Sequence, residues 1–96
     1  MSYRLKLYVT GHTPSSERAI RNLQQIVMQT GMGEHEVVIV DVLEQPQMAE
    51  DERILATPTL IKESPLPTRR IIGDLSDTGK VLLGLDLNAT VFPKER

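Results

Sequence analysis

Residues 54–60, Ile-Leu-Ala-Thr-Pro-Thr-Leu (ILATPTL), set a proline among apolar residues at the start of what reads as a buried strand. Proline has no N–H to give to a strand ladder and is confined to strand starts, edges and bulges. Pro58 therefore marks the entry to a strand beginning at Thr59. Upstream, QPQMAEDERILA (45–56) reads as a short helix with Pro46 near its first turn and Met48, Ile54 and Leu55 as its apolar contacts. Before it, EVVIVDVL (36–43) is a nearly continuous β-branched run of the kind found in central strands buried on both faces. Further back, GHTPSSERAIRNLQQIVMQTG (11–31) predicts a helix capped by Ser15 or Ser16 and ended by Gly31. Its Ala19, Ile20, Leu23, Ile26 and Val27 recur at helical spacing. At the start, RLKLYVT (4–10) alternates Leu5, Leu7 and Val9 with Arg4, Lys6 and Tyr8, which predicts a strand with one apolar and one polar side.

Downstream of Pro58 the pattern continues with a strand over 59–62, the turn SPLPT (64–68), a strand over 69–73, and then DLSDTGKVLLGLDL (74–87). A strand, a helix and a second apolar strand imply a right-handed βαβ unit with parallel strands. Adding a helix, a hairpin and a last helix gives the thioredoxin-like order βαβαββα. Domains of that fold carry a proline, usually cis, just before the third strand and facing the loop that ends the first. ATPTL stands at that place, so the Thr57–Pro58 bond is predicted to be cis.

Composition narrows the function. Ninety-six residues give one α/β domain spanning 1–96 and leave no room for a second core. Eleven basic against thirteen acidic residues leave no cationic surplus for nucleic acid, and the pair Arg69–Arg70 is too small a patch to change that. No apolar run approaches the roughly 20 residues that span a bilayer, and MSYRLKLYVTG does not read as a secretion signal. The expectation is a cytoplasmic protein with no nucleic-acid or membrane partner.

The chain contains no cysteine. In a redox thioredoxin the loop after the first strand holds a CxxC pair at a helix N-terminus, which stabilises a thiolate. Here that loop is GHTPSSERA, so thiol–disulfide chemistry is excluded and a binding scaffold remains. His12 and His35, the only histidines, lie far apart without a ligating companion at a metal spacing. His12 beside Ser15 and Ser16 makes no triad. Glu50, Asp51 and Glu52 are consecutive and point different ways from a helix, which suits a solvated face better than a cation site. Gly31 and Gly33 end a helix and precede a strand, the reverse of a phosphate loop. No catalytic residue, metal or cofactor is expected.

The residues themselves carry a resemblance. KLYVTGHTP (6–14), EVVIVDVLEQPQMAEDERILATPTL (36–60) and RRIIGDLSDTGKVLLGLDL (69–87) closely resemble the KaiB family of the cyanobacterial circadian oscillator, over about residues 4–87. The chain departs from typical clock members in ending at VFPKER (91–96), without a longer acidic tail, and in having Val38 where a basic residue is often found. The resemblance implies a metamorphic fold: thioredoxin-like βαβαββα in a switched state and βαββααβ in a tetrameric ground state. It further implies a non-catalytic clock protein that binds the KaiC ATPase ring after switching, recruits KaiA and competes with the sensor domain of the kinase SasA. Homotetramer or homodimer formation belongs to the same expectation. The alternative is a paralogue in stress response, or a regulator of another ATPase or kinase, which the missing tail favours. A cysteine-free transferase would need a ligand pocket that one Phe and two Tyr hardly furnish.

Site residues follow from the resemblance. Contacts to KaiC are expected from Met48, Ala49, Glu50, Asp51, Arg53, Ala56 and Thr57, with Arg18 on the first helix. Asp41, Arg69 and Arg70 are expected at a KaiA contact or a subunit interface. Gly84, Asp86 and Pro58 are the expected fold-switch residues. KVLLGLDLNATVF (80–92) carries Gly84 within a potential helix, at up to about 1 kcal/mol relative to Ala, and Gly84 weakens a strand there too. Asp86 opposes the helix dipole near a C-terminus. Such a conflict suits a sequence with two packings a few kcal/mol apart. Gly84→Ala, or a basic residue at 86, is expected to favour the helical state. Two folds that differed in isomer at Pro58, Pro65 or Pro67 would interconvert only on the ~10–100 s scale of proline isomerisation.

Overall fold

A computed structural model describes residues 2–31 and 33–85. The order is β1 (Tyr3–Val9), α1 (Pro14–Thr30), β2 (His35–Asp41), α2 (Pro46–Asp51), β3 (Thr59–Ser64), β4 (Arg69–Ile72) and α3 (Thr78–Gly84). The four strands form one sheet in the order β2-β1-β3-β4. β1 runs parallel to β2 in unbroken register from Tyr3–His35 to Val9–Asp41 and antiparallel to β3, which pairs antiparallel with β4. This is the thioredoxin-like order expected from the sequence, and the Thr57–Pro58 bond is cis.

The main core lies between the sheet and the helices α1 and α3. Leu5, Leu7, Val9 and Leu60 meet Ala19, Leu23 and Ile26 of α1 and Val81 and Leu85 from the α3 end. The opposite face holds a smaller cluster, Tyr8, Val40 and Ile61, against which Val38 of β2 packs together with Val42, Met48 and Ile54 from α2 and its flanks.

Four sequence expectations are corrected. Thr13, not Ser15 or Ser16, caps α1: its hydroxyl accepts from the Ser16 N–H at 3.2 Å. Pro14 takes the first helical position, where a missing N–H costs nothing, and so moves the cap back to 13. Ser16 is buried instead and its hydroxyl accepts from the Thr10 N–H at 3.0 Å. β2 is an edge strand, not a central one, because β1 lies between it and β3; Val37 and Ile39 remain exposed. β1 is the central strand, and Tyr8 on its supposedly polar side is wholly buried under α2. Leu55, expected among the apolar contacts of the second helix, lies beyond the end of α2 and is 94% exposed.

The ambiguous end resolves as a helix as far as it is described. Asp77 caps α3, its Oδ1 accepting from the Lys80 N–H at 3.1 Å, and Gly84 is the last helical residue. A Cβ on Gly84 would lie 2.6 Å from Ile71 Cδ1 and 3.0 Å from Cγ1. The helix gain expected from Gly84→Ala therefore meets a packing cost. Asp86 and the rest of 86–96 lie outside the described residues.

Candidate functional site

The place where a redox thioredoxin keeps its cysteines faces Pro58 here as well, and it is built from hydroxyls. Thr10 directly follows β1, and its hydroxyl shares a 2.5 Å hydrogen bond with that of Thr57. The Gly11 N–H donates to Asp41 Oδ1 at 3.1 Å, and Leu43 N–H donates to the same oxygen at 2.9 Å. These bonds tie the ends of β1 and β2 to the start of β3. Asp41, expected at a partner contact, is thereby engaged as a turn-forming residue and only half-exposed.

α2 stands over this junction. Pro46 occupies its first turn, Met48 and Ile54 reach the small cluster on Tyr8, and Glu50 and Asp51 face solvent. Asp51 Oδ1 accepts from Gln47 Nε2 at 2.8 Å across one helical turn. The chain leaves α2 through Arg53 in the left-handed region, φ 54°. That turn is pinned from β4: the Arg70 guanidinium donates to the Glu52 carbonyl at 3.0 Å and the Arg53 carbonyl at 3.4 Å, with the Glu52 carboxylate 3.9 Å away. Arg69 and Arg70 are both exposed, and Arg70 uses its guanidinium within the chain to hold this turn. Below the turn, the Thr59 hydroxyl donates to the Ala56 carbonyl at 2.6 Å, and Gly73 N–H to the Pro58 carbonyl at 2.9 Å.

The result is a firm ledge with an open groove of about 310 Å³ lined by Thr10, Val42, Pro46, Ala49, Ile54 and Ala56, among others. Leu43, Leu55 and Ile72 stand out from this end of the sheet, 68%, 94% and 64% exposed. Leu55, held out beside this groove, is the largest of these exposures, and apolar surface next to a groove is a feature of docking surfaces. Of the residues proposed to meet an ATPase ring, Met48, Ala49, Glu50, Asp51, Arg53, Ala56 and Thr57 fall on α2 and the chain leading from it to β3. Arg18 does not join them: it lies on α1 and pairs with Asp74 Oδ2 at 3.1 Å. That guanidinium, followed by hydrogen bonds from Ser76, holds the Asp74 carboxyl below the usual carboxylate range. Leu55, Leu43 and Ile72 were not singled out as surface residues by sequence; the helix pattern assigned Leu55 to the interior.

Catalytic geometry is not assembled among the described residues. His12 is almost fully exposed, with Glu17 at 3.6 Å, and no nucleophile is hydrogen-bonded to it. No group of three or more His, Cys, Asp or Glu is arranged to hold a metal among the described residues. No helix among them is long and apolar enough to cross a membrane.

Known proteins resemble this chain in sequence and in fold. The KaiB domain family model matches residues 6–87. The circadian clock oscillator protein KaiB of Synechococcus elongatus is 57% identical over 86 residues, covering 90% of this chain and 84% of that protein. Among solved structures, the N-terminal domain of Synechococcus elongatus SasA superposes with a TM-score of 0.77 at 21% identity, covering all of this chain and 90% of that one. Mitochondrial thioredoxin 3 of Saccharomyces cerevisiae gives 0.69 at 16% identity over 88% of this chain and 76% of its own. At those identities the two structures establish a shared thioredoxin-like fold.

Proposed function

The chain belongs to the KaiB family, and on that premise we propose that it is a non-catalytic, cytoplasmic binding switch that docks on a KaiC-type ATPase ring. The observation that carries this reading is the pinned ledge after α2 with Leu55 almost fully exposed at its tip. A side chain of that size held out by a fixed turn costs apolar exposure in the free protein and recovers it on docking. Met48, Ala49, Glu50, Asp51, Arg53, Ala56 and Thr57 surround it and make up the proposed contact, with Arg18 at its outer limit.

The proposal extends to recruitment of KaiA and to competition with a SasA-type sensor domain. Its support is the shared fold: two domains of one architecture can present the same end of the sheet to one ring. It also includes a second, tetrameric βαββααβ state, with Gly84, Asp86 and Pro58 as the switching residues and Arg69 at a subunit contact. Arg70, which holds the turn after α2, would change partners in such a switch.

The test is native mass spectrometry of the protein with its organism's KaiC and ATP, followed over hours, beside Leu55→Glu. Leu55 is exposed, so the variant keeps the fold. Complex formation by the wild type and a loss of at least tenfold in affinity by the variant is the expected result. Absence of any complex with wild type places its partner elsewhere, in another ATPase or kinase.

A further inference from the structure

Between β4 and α3 the chain turns through residues 73–77, and it does so by a strained route. Leu75 lies there in the left-handed region, φ 65°, which residues with a Cβ rarely adopt. Leu75 is not a loop tip where such a conformation is easily tolerated. It is 4% exposed and belongs to the main core cluster with Leu23, Val81 and Leu85. A residue held in a sparsely populated conformation persists only where its surroundings over-determine it.

Asp74, the residue before it, supplies that restraint, because each of its side-chain and carbonyl oxygens accepts a hydrogen bond. Oδ2 accepts from Arg18 Nε at 3.1 Å, Oδ1 from the Ser76 N–H at 3.1 Å, and the carbonyl from Asn22 Nδ2 at 2.8 Å. Arg18 and Asn22 are four residues apart on α1 and so share one face of it. One grips the carboxylate and the other the main chain of the same residue, which fixes its orientation as well as its place. Just before it, the Gly73 N–H donates to the Pro58 carbonyl at 2.9 Å. An isolated exposed ion pair contributes little. Here the Asp74 side chain is only 26% exposed, and Arg18 is one member of a network. α3 depends on this turn, since a helix of seven residues does not persist alone in water.

We propose that Arg18 and Asn22 of α1 form a clasp on Asp74 that imposes the turn at Leu75 and holds α3 on the sheet, so that release of Asp74 frees α3 ahead of the rest of the fold. The strain at Leu75 favours departure once the clasp opens. Arg18 is then a positioning residue: its effect on partner binding passes through Asp74 and α3, without a contact to the ring. That last link rests on the docking reading above, whereas the clasp itself does not.

The test compares Arg18→Gln, Asp74→Asn and the double variant with wild type by native-state amide exchange, with no partner present. Asparagine keeps an oxygen for the Ser76 N–H and removes only the charge. The Val81 and Leu85 amides, bonded to the Asp77 and Val81 carbonyls, report on α3. In either single variant they should open about threefold more often, and in the double variant no more often than in the more affected single one. Amides of α1 and β1 should keep their wild-type protection, and Arg21→Gln, an exposed arginine of the same helix, should change nothing. Unaltered exchange at Val81 and Leu85, equal loss of protection in α1, β1 and α3, or a double variant that multiplies the two single effects would each overturn the clasp. Complex formation with KaiC and ATP is read separately, and Arg18→Gln and Asp74→Asn should weaken it together. A loss confined to Arg18→Gln makes Arg18 a ring contact and overturns its positioning role. Absence of any complex with wild type overturns the docking reading, while the exchange result still decides the clasp.

Discussion

On the α1 and α3 side of the sheet, eleven buried apolar residues form one continuous cluster. On the α2 side the buried apolar cluster among the described residues is Tyr8, Val40 and Ile61, beneath a six-residue helix that buries no residue of its own. The first face has the close packing from which global stability comes. The second is closed partly by charge: Lys6 with Glu63 at 3.1 Å and Arg70 with Glu52. Segments that dock or rearrange are drawn from the least stable part of a structure. The proposed docking ledge belongs to the thinner face, and the comparison says why it can be both presented and given up.

The sharpest way to break this contrast is to cut the same kind of side chain from each face. Leu23→Ala, in the thick core, should cost about 2–5 kcal/mol in urea unfolding. Ile54→Ala, half-buried under α2, should cost roughly half as much or less, and should accelerate amide exchange in residues 46–55 far more than in α1. Equal losses from the two substitutions would mean that the faces do not differ as described.

Tyr8 sharpens the comparison from within the thin face. Its hydroxyl is buried without a hydrogen-bond partner, and a buried unsatisfied hydroxyl costs about 1–3 kcal/mol. Tyr8→Phe is therefore expected to stabilise the fold by about 1 kcal/mol. Burial raises the Tyr8 pKa above 10.0, partly opposed by Lys6, and the hydrogen bond to Glu63 raises Lys6 above 10.5. For both groups the folded chain holds its proton longer than the unfolded one. Their contribution is fully present below about 10 and is lost as pH rises through the folded values. Melting temperature should thus fall steeply above pH ~10, and less steeply in Tyr8→Phe. A variant with unchanged stability and an unchanged alkaline limb would show that Tyr8 is solvated after all.

The same two faces explain what the sequence made legible. Element order followed from punctuation: Gly31 after α1, Pro46 before α2, Pro58 before β3. The element order suggested the thioredoxin-like fold, and the position of Pro58 within it suggested the cis bond. Strand position was inverted, because side-chain pattern reports burial of side chains and not the number of neighbouring strands. RLKLYVT alternates, yet Tyr8 is covered by Met48, from a helix too short to leave its own apolar stripe, and by Ile54 beyond it. EVVIVDVL is a nearly continuous β-branched run, yet among the described residues the sheet gives it one neighbour. Nothing in TLIKES marked Lys62 for burial. In the candidate site the α2 residues were legible by resemblance. Leu55 and Arg70 were not, since the first depends on where the helix stops and the second on a long-range hydrogen bond.

The smallest expected effect is the one the sequence made largest. In a helix interior Gly→Ala is worth up to about 1 kcal/mol, which is why Gly84→Ala was expected to favour the helical state. Gly84 instead closes α3, where less of that gain applies, and an added Cβ would meet Ile71 at 2.6 and 3.0 Å. Overpacking of that kind costs about 1–3 kcal/mol unless the neighbour moves. Ile71 is half-buried on an edge strand, so it can give partly, and the net change should fall between zero and a loss of about 1 kcal/mol. Ile71→Val removes the Cδ1 atom responsible for the closest approach. In that background Gly84→Ala should become stabilising, with a coupling of about 1 kcal/mol between the two positions in a double-mutant cycle of urea unfolding. If Gly84→Ala stabilises equally with and without Ile71→Val, helix propensity alone governs the α3 end and the packing against β4 contributes nothing. If coupling is found, Ile71 belongs with Gly84 in setting how firmly α3 holds to the sheet, and the balance at this end is a matter of fit between a helix terminus and an edge strand.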